Sequence, residues 1–223
     1  MFLSRLREVV FPQTAHAQLA GEIAFYWGNS QFSLPPVDFD SFVLGVALHD
    51  RAYGFIDTLP VPAEGHLDEW LELQRRNVSL SCKNIAAEIV IRLHALRLLR
   101  MHHAPEAAEL GTAVDDSVSE LCERQSLLRS DFESADTITA LCDNVAFDFC
   151  FEVPQSRTSK VSAAVVTDQK KAVSYEIMPG GTVRLHPWPL RVSRLEGFLI
   201  AFEAENYPAV LNPVIARYSI SPG

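Results

Sequence analysis

The apolar residues of this 223-residue chain change their spacing once, and that change constrains the fold more than any other feature. Up to about Val153 they recur every three or four positions, and beyond Pro154 they alternate with polar residues. The first pattern lays an apolar stripe along an α-helix; the second gives a strand one apolar face. Helices first and strands afterwards predict an α+β fold. A mainly helical bundle over residues 1–154 is expected to carry a small antiparallel β-sheet, residues 155–223, packed on it.

Within the helical part, the first helix is read from Ala15 to Trp27, with His16 on the same face as Leu19, Ala20, Ile23 and Trp27. Gly28-Asn29 supplies its stop. A second helix is read from Phe39 to Asp50, capped by Asp38 or Asp40 and ending on His49-Asp50. Pro60, Pro62 and Gly65 mark a loop before a short amphipathic segment, Asp68 to Arg75. A long helix from Asn84 to Met101 aligns Ala87, Ile91, His94, Leu98 and Met101, with Glu88 and Arg92 as an i,i+4 pair on its outer side. Two more helices, Pro105 to Phe132 and Asp136 to Val153, complete the set, with Asp136 as a cap. Val173, Tyr175 and Ile177, the turn Pro179-Gly180-Gly181, and Val183 and Leu185 then read as a hairpin. Phe198 to Glu203 and Val214 to Ile220 are further strands.

Composition removes several function classes. A net charge of −9, with no basic run longer than Arg75-Arg76 or Lys170-Lys171, would repel a phosphate backbone, so a nucleic acid polymer is not an expected partner. A small phosphorylated ligand held by a few local cations remains compatible. No apolar run reaches the roughly 18 residues of a membrane span, and the start MFLSRLREVV has charges where a signal peptide has its apolar centre. A cytoplasmic location without membrane attachment is the expectation. Cys82, Cys122, Cys142 and Cys150 lack CxxC spacing and read as reduced, buried thiols.

The chemistry lies in polar residues on apolar stripes. Asp143 shares its stripe with Thr139, Ala146, Phe147 and Cys150, whereas Asn144 and Asp148 fall on a more polar side. A carboxylate on such a face needs a partner or a cation to offset its desolvation. His16 and His94 occupy similar stripes, and His49-Asp50 closes a helix that is apolar from Phe42 through Leu48. Facing helices that each offer an inward imidazole or carboxylate form metal sites in bundle cores. Neutral imidazole with carboxylate suits a divalent transition metal: zinc, manganese, iron or nickel. The alternative makes His16 and His94 core histidines donating to backbone carbonyls, and Asp143 an acceptor for helix N-termini or for Arg124. His66, His102 and His103 sit in polar contexts and are expected to be exposed; His186 shapes a strand end.

The order His16, His49-Asp50 and then a distant Asp143 resembles the signature of the HD-domain superfamily of metal-dependent phosphohydrolases, over about residues 15 to 152. That resemblance implies an HD-like helical bundle in which His16, His49, Asp50 and Asp143 are metal ligands and His94 is an optional extra. A small residue, Gly and Lys often follow the His-Asp pair in those enzymes; here the chain reads Arg51-Ala52-Tyr53-Gly54, so Arg51 stands as the candidate phosphate contact. Nearly the whole chain is also similar to an uncharacterised bacterial family, domain of unknown function 3891. His16-Ala17-Gln18-Leu19-Ala20 with Tyr26-Trp27-Gly28-Asn29, Ala47-Leu48-His49-Asp50, Leu93-His94-Ala95, Leu141-Cys142-Asp143 and Pro187-Trp188-Pro189 carry that similarity. Its sequences tend to have an acidic residue, Gly and Trp after the His-Asp pair.

Two functions follow as expectations. One is a metal-dependent hydrolase of a small phosphorylated substrate, in which Asp50 orients or bridges, His94 or Arg97 faces the substrate, and Arg51 meets the phosphate. The other is a binding or regulatory module that keeps the helical fold without turnover.

Overall fold

The structure is a computed structural model, and it describes residues 1–4, 6–57, 67–151, 156–162, 170–178 and 180–223. The readings at Pro60, Pro62, Gly65, His66, Pro154 and Pro179 lie outside the described residues. Two short strands, β1 (Phe2–Leu3) and β2 (Val9–Phe11), come before the helices α1 (Gln13–Phe25), α2 (Phe39–Ala47), α3 (Leu67–Ser79), α4 (Ile85–Met101), α5 (Pro105–Gln125) and α6 (Arg129–Phe151). A 3-10 turn, Arg51–Ile56, follows α2, and the strands β3 (Ser156–Ser162), β4 (Lys170–Met178), β5 (Thr182–His186), β6 (Leu195–Glu203) and β7 (Pro213–Pro222) follow α6.

These strands form one seven-stranded sheet in the order β1-β2-β6-β7-β5-β4-β3. The expected HD-like helical bundle followed by a small antiparallel sheet is therefore overturned. Strands from both ends of the chain build the sheet, with β2 pairing to β6 through Val10↔Phe202, and it is mixed because β5 runs parallel to β7. The physical reason is legible in hindsight. Val9-Val10-Phe11 is buried on both faces, so it shows no alternation, and β3 carries its one fully buried apolar side chain, Val161, in a Ser/Thr/Lys texture that reads as a linker. The core is not all-helical either. A continuous cluster joins Leu19, Ile23, Val145 and Phe149 of the helices to Phe11, Val183, Leu199, Tyr218 and Ile220 of the sheet. Phe149 meets Phe11 and Tyr218 edge to face at centroid distances of 6.1 and 6.0 Å.

Small residues set the helix spacing. Gly21 of α1 lies so close to α2 that an added Cβ would sit 2.7 Å from the Ala47 Cβ, and a Cβ on Gly45 would sit 2.6 Å from the Val90 Cβ of α4. Three of the elements that carry His16, His49 and His94 are thus drawn together by missing methyl groups. Caps fix the ends. Asp38 accepts from Ser41 N at 2.9 Å, and Asn84 accepts from Ala87 N at 3.0 Å. Pro12 offers no cap to α1; the Asp57 carboxylate serves instead, accepting from Gln13 N at 2.7 Å across the fold.

Helix boundaries differ from expectation at α2, which ends at Ala47 before His49-Asp50, and most of all between α5 and α6. Ser126 adopts a left-handed φ of 54° and Leu127 N donates to Cys122 O, which closes α5 before Phe132 and lets α6 start at Arg129. Asp136 is then no cap; it lies inside α6 and accepts from Arg97 Nε at 3.1 Å. Among the described residues no helix is long and apolar enough to cross a membrane.

Candidate metal centre

Four segments carry the cluster. His16 lies in the second turn of α1, His49 and Asp50 follow the end of α2, His94 is in α4 and Asp143 in α6. Each of the five is buried, and the least covered, Asp50, is 9% exposed. The structure brings them all together. His16 Nε2 is 3.0 Å from Asp143 Oδ1 and its Nδ1 is 3.7 Å from Asp50 Oδ2; His49 Nε2 is 3.5 Å from Asp143 Oδ1 and 3.7 Å from Asp50 Oδ2. His94 Nε2 lies 3.3 Å from Asp50 Oδ1. Two overlapping groups, His16/His49/Asp143 and His49/Asp50/His94, each place three ligand-type atoms within 4.8 Å of one another.

The donor set fits a divalent ion because its buried atoms are short of partners. His16 Nδ1, His49 Nε2, His94 Nε2 and Asp50 Oδ1 have no hydrogen-bond partner among the described residues. Buried polar atoms seldom stay unsatisfied, and four in one cluster ask for partners from outside the chain. His49 is already oriented for ligation. Its Nδ1 donates to the Val46 carbonyl at 2.6 Å, as metal-bound imidazoles commonly use their second nitrogen.

Electrostatics agree with the geometry. Burial alone would lower the His49 pKa, but the neighbouring Asp50 and Asp143 outweigh it and push it up to about 9. Burial favours a protonated Asp143, yet the hydrogen bond from His16 and the close approach of His49 hold its carboxyl well below the usual carboxylate range. Asp50 is likewise lowered against its burial by the His49 charge and by His94. A cationic site held by two carboxylates is what a divalent ion replaces when it displaces protons.

Around the cluster, Arg97 on α4 places Nη2 3.0 Å from His94 Nδ1 and Nη1 3.6 Å from Asp143 Oδ2. The cluster opens on a cleft of about 400 Å³ whose walls include Phe2, Gln13, Tyr53, Trp70, Met101 and Arg157. A larger hollow of about 770 Å³, beside Arg7, Glu8 and Glu203, has none of the cluster residues in its walls. Sequence reasoning did not find Gln13, Tyr53, Trp70 or Arg157. None of them shows a period or a spacing that points to a cleft; they converge only through the tertiary fold.

His49 and Arg97 stand behind the cleft wall, in contact with the cluster, whereas Arg51 reaches neither the cleft nor the cluster. Its guanidinium is held by both Glu88 carboxylate oxygens at 2.9 and 3.1 Å, by the Asn77 carbonyl at 2.9 Å and by the Leu80 carbonyl. Glu88 also takes Arg92 Nε at 2.8 Å, so this pair is not on an outer face: Glu88 is buried. Asp148 is buried too, where the sequence put it on a polar side, because Tyr175 of the sheet donates to it at 2.6 Å and Arg157 Nε sits 3.1 Å away. Of the other residues singled out, Cys122, Cys142 and Cys150 are buried and Cys82 half-buried, while His102, His103 and His186 are exposed.

A profile described as protein of unknown function (DUF3891) matches residues 4–201. The chain belongs to this family. Neither the curated proteins nor the solved structures contain a significant match to the chain. Members of DUF3891 share no described activity in that profile, so function rests on the centre itself.

Proposed function

We propose that this DUF3891 protein is a metal-dependent hydrolase of a small phosphorylated substrate, with His16, His49, Asp50 and Asp143 holding a divalent transition metal and His94 beside them. One observation carries the reading: unsatisfied buried nitrogens and a carboxylate oxygen face one another at the floor of an open cleft. A zinc, manganese, iron or nickel ion there supplies Lewis acidity and lowers the pKa of water. The residues supply the rest. Val46 and Asp143 hold His49 and His16 in register, Arg97 braces Asp143, and Asp50 keeps an oxygen directed at the cleft. Trp70, Leu98, Met101 and Phe147 give the cleft apolar walls that limit water, and Arg157, paired with Asp148, adds positive charge to its lining. The order of the ligands, similar to that of the HD-domain phosphohydrolases, supports phosphoryl rather than acyl transfer.

A second reading, a binding or regulatory module without turnover, is favoured by the sequestration of Arg51, the expected phosphate contact, on Glu88. Elemental analysis of the purified protein beside His49→Ala and Asp143→Ala tests the centre. A wild type that takes up no transition metal after reconstitution ends the metal reading. A screen of phosphomonoesters, nucleotides and cyclic dinucleotides with added manganese or nickel separates the two functions. Turnover abolished in Asp50→Ala supports the hydrolase, and an inert metal-loaded protein supports the module.

A further inference from the structure

The two sides of the His94 ring are not equivalent, and Arg97 decides between them. An arginine side chain stays protonated and can only donate, so the nitrogen 3.0 Å from Arg97 Nη2 must present a lone pair. That nitrogen is His94 Nδ1. The other group near it, Asp143 Oδ2 at 3.6 Å, is beyond hydrogen-bond reach and does not compete. The imidazole proton therefore sits on Nε2. His49 is the reverse case: its Nδ1 donates to a carbonyl, so Nε2 is the nitrogen that offers a lone pair once the ring is neutral.

A protonated Nε2 cannot ligate a metal. It lies 3.3 Å from Asp50 Oδ1, and neither atom has a hydrogen-bond partner among the described residues. A buried N–H beside a buried carboxylate oxygen is a donor next to an acceptor, both unsatisfied and both on the cleft. An O–H group fits that pair, since its oxygen accepts from the imidazole while its hydrogen is given to the carboxylate. A second cation does not fit, because the N–H would point at it.

We propose that Arg97 fixes the Nε2–H tautomer of His94, so that His94 and Asp50 seat a water molecule at the centre instead of a second metal ion. The inference rests on the reading of the cluster as a metal centre, and it gives each residue a separate task. His16, His49, Asp50 Oδ2 and Asp143 surround one ion, while Asp50 Oδ1 and His94 hold the water that hydrolysis consumes. Arg97 is a positioning residue acting through His94.

Imidazole tautomers read by nitrogen magnetic resonance on the isotopically labelled full chain, with and without spin-active cadmium, test this. In the loaded protein His49 shows coupling from Nε2 to cadmium, and His94 shows a protonated Nε2 with no coupling. One cadmium binds per chain, and His94→Gln, which retains an N–H at the same place, keeps that stoichiometry. Arg97→Met loses the single tautomer of His94 and Arg97→Lys restores it, a pattern that a purely structural Arg97 would not produce. Cadmium coupling at His94, or a proton on its Nδ1, overturns the proposal. A chain that retains no cadmium defeats the metal reading instead, and the tautomer of His94 in that metal-free protein still decides the role of Arg97.

Discussion

His49 Nδ1 lies 2.6 Å from the carbonyl oxygen of Val46, three residues earlier in the last turn of α2. That bond turns an ordinary helix terminus into a ligand holder. It adds a second donor to a carbonyl that already accepts from His49 N, fixes the imidazole plane and directs Nε2 at Asp143.

Removing either end of that arrangement should remove the ion. His49→Ala and Asp143→Asn are expected to lose zinc by more than the roughly 10–100-fold that loss of an outer-shell partner costs in metal affinity. Competition titration with a chromogenic chelator measures it. Retention of wild-type affinity by either variant would mean that the ion is bound elsewhere.

The inward placement of His16, His94 and Asp143 was legible in the sequence because each shares a helical stripe with residues that proved buried, such as Leu19, Ile91 and Ala146. His49-Asp50 was legible more by resemblance than by pattern, since the pair lies past the last turn of α2, where periodicity no longer applies. The sheet was half legible. The strands β4 to β7 alternate, but β1 and β2 are too short and too evenly apolar to announce themselves, and the pairing of β2 with β6 joins residues nearly two hundred positions apart. The burial of Glu88 was hidden for a different reason. An i,i+4 Glu–Arg pair usually marks a solvated face, and only the arrival of Arg51 from another element makes it an interior network.

That network is expected to govern stability rather than substrate binding. Glu88 is 3% exposed and balances Arg51 and Arg92, while Asn77 ties Arg51 to the His49 carbonyl. Glu88→Gln strands two largely buried guanidinium groups and should cost roughly 3–5 kcal/mol, the range for breaking one partner out of a buried pair. Urea denaturation of the metal-free protein checks this. A loss under about 1 kcal/mol, as for exposed pairs, would place the network at the surface.

Gly45 offers a test of how the helices hold the centre. A Cβ there would stand 2.6 Å from the Val90 Cβ and 2.9 Å from the Ala87 carbonyl, and neither neighbour is a flexible chain end. Gly45→Ala should therefore force α2 from α4 despite the better helix propensity of alanine, at about 1–3 kcal/mol of overpacking. For a chain of this size that corresponds to a fall in Tm of roughly 2–4 °C per kcal/mol. Because His49 follows directly on α2 and His94 lies on α4, zinc affinity should fall with it. A more stable Gly45→Ala variant would show that the contact relaxes freely.

Acidity should couple to the ion in one direction. His49 in the metal-free protein has its pKa raised from 6.5 to about 9, so its contribution to stability is fully present below about pH 6.5 and is lost as pH rises through 9. Asp50 and Asp143 are lowered, so their contributions are present above the ordinary carboxylate range and are lost only in stronger acid. Between pH 6.5 and 9 the metal-free protein is thus losing stability while both carboxylates stay charged. An ion bound to His49 Nε2 needs the proton gone, so zinc binds more tightly over the same interval. The difference in Tm between zinc-loaded and chelator-treated protein should widen steadily from pH 6.5 to pH 9, measured by thermal scanning at fixed ionic strength. In His49→Gln, which carries no titrating group at that position, the widening should shrink. A gap that narrows with rising pH in the wild type would mean that His49 is not the proton the ion displaces.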